Sequence, residues 1–154
     1  MKATLNFDSA EQILDFAIEK EMEANQFYVT WAEKVGQKAV SKVLLEFAGE
    51  ELRHRDMLQQ VKQGQAFKAD TKHMTDMHIT DHFTVALPVS SMSYQDALRV
   101  AIQRETGAIE VYRILKDRVT DTTLKDLFAH LEQEETRHKI RLESIYEEDF
   151  MKEN

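Results

Sequence analysis

Residues 47–58 read FAGEELRHRDML, and residues 131–142 read LEQEETRHKIRL. Each stretch holds Glu-x-x-His: Glu51 with His54, and Glu135 with His138. The two pairs lie 84 positions apart, and the same offset carries Glu21 onto Glu105, Tyr28 onto Tyr112 and Ser9 onto Ser93. The chain therefore reads as two copies of one helical hairpin. Each copy sets a lone glutamate and a Glu-x-x-His on a stripe that is otherwise apolar. Four carboxylates and two imidazoles turned inward point to a site for two metal ions.

Working outward, four helices follow from the period of the apolar residues. The first starts at Ser9, an N-cap with Gln12 three residues on, and runs to about Val35, where Gly36 ends it. The second runs from about Lys38 to Lys62 and ends at Gly64. The third starts at Ser93 and runs to about Val119; the fourth, capped by Asp121, runs to about Glu148. The second helix carries Val40, Leu44, Phe47, Glu51, His54, Leu58 and Val61 in alternating steps of four and three. The fourth repeats the pattern with Leu124, Phe128, Leu131, Glu135, His138, Leu142 and Ile145. The first gives Leu14, Ala17, Glu21, Ala24, Tyr28, Trp31 and Val35, and the third Leu98, Ala101, Glu105, Ala108, Tyr112, Leu115 and Val119. These are heptad-like stripes around a shared interior, with the polar interruption near the middle of each. Alanines flank the lone glutamates and leave room for something other than side chain.

Short turns make each hairpin antiparallel. The second and third helices must then run parallel, which requires a connection spanning the height of the bundle. Residues 64–92 supply it. The expected fold is all-α: a single domain over 1–154, a four-helix bundle of two hairpins at about 9–63 and 93–148, joined by one long crossover. The crossover has no clean helical period, apart from a short helix that could form near Ile79–Phe83. It contains Pro88 and His73, His78 and His82. Surface histidines are the simpler reading of these three, although His78 and His82 have a ligand's i, i+4 spacing.

Composition removes several function classes. A net charge of −8 opposes binding to a phosphate backbone, so no nucleic-acid partner is expected. There is no cysteine, hence no disulfide, thiolate catalyst or cysteine-ligated cluster. No apolar run is long enough to cross a bilayer. Asp8, Glu11 and Asp15 interrupt what would be a signal peptide's core, so a cytoplasmic location is expected.

The spacing explains the chemistry. Residues at i and i+3 share a helix face, so a Glu and a His so placed can hold one metal while the second carboxylate oxygen reaches a neighbour. Two such pairs plus one glutamate from each remaining helix give six protein ligands. Their four negative charges balance two divalent cations. Without metal, carboxylates crowded in an apolar interior must protonate or stay unpaired. Oxygen-rich ligation with one imidazole per metal and no sulfur suits iron or manganese, with zinc also accommodated. A single Glu-x-x-His would say little, since both residues are common on helix surfaces. Six candidates at matched heights on four stripes say much more. Tyr28 and Tyr112 read equally well as aromatic core and as partners standing behind the ligands.

The set Glu21, Glu51-x-x-His54, Glu105, Glu135-x-x-His138 resembles the ferritin-like di-iron carboxylate proteins, and the rubrerythrin diiron domain above all. AIEKEMEANQFY (17–28) and AIQRETGAIEVY (101–112) are similar to that family's first and third helices. The resemblance covers about residues 9–148. It implies a ferritin-like bundle, two bound iron ions, and reduction of peroxide or dioxygen. It also implies that Glu51 and Glu135 bridge the metals, that Glu21 and Glu105 are terminal carboxylates, and that His54 and His138 each bind one iron. In related bundles a carboxylate just before the bridging glutamate reaches the histidine of the facing helix. The resemblance therefore pairs Glu50 with His138 and Glu134 with His54; the competing expectation is that Glu50 and Glu134 face Arg53 and Arg137 in solvent. Two departures matter. Rubrerythrins that append a cysteine-rich electron-transfer domain find no counterpart here, so an external electron-donor protein is expected. Members with a redox-switching iron carry a further carboxylate where this chain has Ile102, which favours a more symmetric site, nearer that of bacterioferritins. The alternatives are a ferroxidase that handles Fe2+ and a non-catalytic bundle with a structural metal. A homodimer is expected, with domain swapping through the crossover as one form of it.

Overall fold

The computed structural model describes residues 10–64 and 92–152. The backbone forms four long helices: α1 (Ala10–Lys34), α2 (Lys38–Gly64), α3 (Tyr94–Arg118) and α4 (Thr122–Tyr146). Their ends follow from local chemistry. Ser93 is the N-cap of α3, its hydroxyl accepting from the Asp96 amide at 3.1 Å. Asp121 caps α4 by accepting from the Thr123 and Leu124 amides at 2.8 and 3.1 Å. Each satisfies amides that an isolated helix start leaves without partners. The expected cap at Ser9 and the crossover, including His73, His78, His82 and Pro88, lie outside the described residues.

Both hairpins are tied side chain to backbone. Ser41 Oγ donates to Ala32 O at 2.7 Å across the first turn, and Lys125 Nζ donates to Lys116 O at 3.1 Å across the second. The helix directions can be read from the core. One apolar layer joins Ile13 and Leu14 at the start of α1 with Leu58 near the end of α2. The same layer takes in Leu115 near the end of α3 and Leu124 and Phe128 at the start of α4. The opposite layer joins Trp31, Val40, Leu44, Leu98, Leu142 and Ile145 from the other ends. Helices α2 and α3 therefore run in the same direction, as a four-helix bundle with one long connection requires. The stripes read from the sequence are buried almost throughout, with Leu58, Leu115, Phe128, Leu131 and Leu142 fully enclosed. Each such side chain contributes about 1.5–3 kcal/mol through burial.

Three stripe residues are only half-buried. Val35 and Val61 sit at open helix ends, and Ala24 lines a cavity described below. The last helix does not simply fray near Glu148. A π-helical turn, Glu147–Met151, follows it and brings Phe150 against Tyr94 and Tyr146, with ring centroids 5.5 and 5.4 Å away. Tyr94 Oη donates to Asp149 at 2.8 Å, fastening this turn to the start of α3. No helix among the described residues is long and apolar enough to cross a membrane.

Candidate metal centre

Between the two apolar layers lies a polar one, made by one short segment of each helix. Glu21 comes from α1, Glu51 and His54 from α2, Glu105 from α3, and Glu135 and His138 from α4; all are buried. Two overlapping groups form. Glu21, Glu51, His54 and Glu135 present one ligand atom each within 4.8 Å of one another, and so do Glu51, Glu105, Glu135 and His138. Glu51 and Glu135 belong to both. His54 Nδ1 lies 3.1 Å from Glu135, 3.4 Å from Glu21 and 3.5 Å from Glu51. His138 Nδ1 lies 3.2 Å from Glu51, 3.4 Å from Glu105 and 3.7 Å from Glu135.

These approaches lack the alignment of hydrogen bonds. Glu21 Oε2, Glu51 Oε1, His54 Nδ1, Glu105 Oε2, Glu135 Oε1 and His138 Nδ1 are all buried without a hydrogen-bond partner. Buried polar atoms are normally satisfied, and one left unpaired costs about 1–3 kcal/mol. Six orphans converging on one point call for a group that accepts lone pairs. A pair of divalent cations does so with no proton to place. The donor set of four carboxylates, two imidazoles and no sulfur fits that occupant.

Electrostatics in the metal-free chain carry the same message. Burial, then repulsion from Glu135, Glu21 and Glu105, pushes the Glu51 carboxyl well above its ordinary value. Burial and the charges of Glu105 and Glu21 push Glu135 up to about 8, against the opposing pull of His54. Burial alone would discharge His54, but Glu135 and Glu21 outweigh it and raise the ring to about 11. His138 reaches about 9 by the same contest, with Glu105 as its main partner.

The surroundings hold these side chains in place. Tyr28 on α1 donates its hydroxyl to Glu105 Oε1 on α3, and Tyr112 on α3 donates to Glu21 Oε1 on α1. Each lone glutamate is thus fixed through one oxygen and offers the other to the centre. Burial, followed by the nearby carboxylates, raises both phenols well above their ordinary value, so they remain donors. Behind the histidines the two halves differ. His138 Nε2 donates to Glu50 Oε2. On the other side His54 Nε2 lies 3.6 Å from Glu134 Oε1, beyond a hydrogen bond. Glu134 is held instead by Arg137 at i+3 and faces His130 Nε2 at 3.5 Å. Arg137 also reaches Glu50 at 3.3 Å, and Arg53 stands 3.7 Å from Glu50. The reciprocal pairing expected from the repeat is therefore geometrically complete on one side only, and the arginine contacts coexist with it.

Two features escaped the sequence reading. Phe47 stacks on the His138 ring, with centroids 4.1 Å apart and planes 22° from parallel; its repeat-mate Leu131 has no ring to offer His54. Asn25, buried beside Glu21, donates Nδ2 to Ala48 O at 2.8 Å and locks α1 to α2 above the polar layer. The repeat places Ile109 opposite Asn25, and that mismatch was the available signal. Ile102 packs half-buried against the apolar layer and contributes no donor.

The fold has counterparts among solved structures. A ferritin-like diiron-carboxylate protein from Thermotoga maritima superposes with a TM-score of 0.71 at 21% identity, covering 90% of this chain and 94% of that one. A hypothetical protein from Pyrococcus furiosus gives a TM-score of 0.70 at 25% identity, over 91% of this chain and 89% of that one. No curated protein matches. The rubrerythrin family model matches residues 12–91 and 96–154, nearly the whole sequence, and the chain belongs to the rubrerythrin family.

Proposed function

We propose that the chain is a di-iron oxidoreductase that reduces peroxide or dioxygen, with Glu21, Glu51, His54, Glu105, Glu135 and His138 as its metal ligands. The observation that carries the reading is the set of six unpartnered donor atoms, divided into two groups that share Glu51 and Glu135. The shared residues, Glu51 and Glu135, would each serve both ions. Glu21 with His54, and Glu105 with His138, would complete one position each. The site would hold two irons, whose chemistry would be the transfer of one electron each to a small oxidant. Membership of the rubrerythrin family supports iron over manganese or zinc, both of which the donor set also fits.

The chain's own part is positional. Tyr28 and Tyr112 each hold one oxygen of a lone glutamate and leave the other without a hydrogen-bond partner. Glu50 holds the His138 ring with Nδ1 toward the centre. The apolar layers above and below exclude bulk water. The 154 residues hold no cysteine-ligated electron carrier, and the returning electrons would come from a donor outside them. The test is anaerobic loading with Fe2+, then stopped-flow mixing with peroxide and with dioxygen. Oxidation of both irons, faster with peroxide and repeated when reductant is added, is the expected result. Faster reaction with dioxygen that consumes added Fe2+ would establish a ferroxidase instead. Two bound metals with no reaction toward either would leave a structural role.

A further inference from the structure

The polar layer is not sealed on every side. Between α1 and α3 a cavity of about 30 Å³ opens above the four carboxylates. A buried water needs about 10–15 Å³ by the same measure, so this space holds about two water-sized occupants or one molecule of peroxide. It exists because Ala17, Ala24 and Ala108 line it where larger residues would close it. Its rim carries Lys20, Glu23 and Arg104. Lys20 and Arg104 are repeat-mates, 84 positions apart, each immediately preceding a lone glutamate. Lys20 pairs with Glu23 at 3.1 Å, while the repeat-mate of Glu23 is Gly107, which offers Arg104 no such partner. The Arg104 guanidinium lies 5.3 Å from the Phe27 ring centroid, and its Nε is buried without a hydrogen-bond partner. The rim therefore bears two cations and one anion, with a donor left over.

We propose that this cavity is the port through which a small neutral or anionic oxidant reaches the centre, and that Lys20 and Arg104 select against cations at its mouth. The inference rests on the di-iron reading above and sharpens it. A cationic rim opposes the passage of Fe2+ as a consumed substrate and suits irons that stay while oxidant comes and goes. Three alanine methyls set the size limit, so hydrogen peroxide passes and bulky organic hydroperoxides do not.

Two probes with readouts independent of turnover test it: azide binding to the diferric protein, followed by its charge-transfer band, and Co2+ uptake by the metal-free protein, followed by its d–d bands. Ala108→Leu should fill the cavity and slow azide association at least tenfold while two metals still bind. Ala24→Leu, at a half-exposed position, serves if Ala108→Leu does not fold. Lys20→Gln/Arg104→Gln should slow azide and speed Co2+, each by about three- to tenfold at low salt, with the difference fading at 0.5 M salt. Azide and Co2+ rates within twofold of wild type in these variants, with two metals bound, would overturn the port. A wild-type chain that binds no metal would overturn the di-iron reading itself, a result distinguishable from the first.

Discussion

Replacing Glu51 by glutamine should make the metal-free protein more stable than wild type and the metal-loaded protein less stable than wild type. The side chain is 1% exposed, and its carboxyl is held well above the ordinary value by burial and by three neighbouring carboxyls. A group raised in this way stabilises the fold fully below its unfolded value of 4.5, and that contribution is lost as pH rises toward the folded value. The loss runs at about 1.4 kcal/mol per pH unit over that window. Glutamine keeps the shape, carries no charge, and has an amide that can donate to Glu135. Allowing for relaxation, the metal-free variant should gain about 2–3 kcal/mol at pH 8, or about 5–10 °C in a chain of this length.

With metal the sign changes. Ligand at 100 times its dissociation constant stabilises by about 2.7 kcal/mol per site, so two sites raise the wild-type midpoint by about 10–20 °C. Glu51 belongs to both ligand groups, so the glutamine variant forfeits most of this increment. Calorimetry at pH 8 on chelator-treated and metal-loaded samples reads both effects. The reasoning is refuted if the metal-free variant melts below wild type with unchanged far-UV circular dichroism, or if metal stabilises it as much as it does wild type.

Glu50→Gln should weaken metal affinity by about 10–100-fold through loss of the His138 contact, whereas Glu134→Gln, whose carboxylate stands 3.6 Å from His54, should change it by about threefold or less; competitive titration with a metal indicator ranks the two. The metal-free protein should lose stability steadily from pH 6 to 9, because Glu135 (about 8), His138 (about 9) and His54 (about 11) all bind protons more tightly folded than unfolded. Metal binding displaces those protons, so the loaded protein should keep its midpoint across the same range, and paired thermal melts at each pH measure the widening gap. Asp121→Ala removes the acceptor for two amides and should cost about 1 kcal/mol, lowering the midpoint by about 2–4 °C without altering metal stoichiometry.

The parts of this molecule that were legible in the sequence are those governed by one helix at a time. The alternation of four and three steps that places Leu44, Phe47, Glu51, His54 and Leu58 on one face is a property of α2 alone, and burial follows it. The caps at Ser93 and Asp121 are likewise set within three residues of chain. The six ligand candidates were legible because they interrupt those stripes, and because the repeat shows the interruption twice. What the sequence hid depends on pairs from different helices. The repeat relates Glu50 to Glu134 and so implies equal partners for His138 and His54. Equality fails because the positions around them are not repeated: Phe47 faces His138 where Leu131 faces the other half, and His130 draws on Glu134 where its repeat-mate Glu46 offers Glu50 no cation. The same limit hid the rim of the cavity. Lys20 and Arg104 are ordinary exposed-face residues when each helix is read alone, and become a paired feature only when α1 and α3 stand side by side over the carboxylates. The repeated hairpin thus places the six candidate ligands symmetrically, and the residues that differ between the copies, Phe47 against Leu131, Asn25 against Ile109 and Glu23 against Gly107, are where the two candidate metal positions can come to differ.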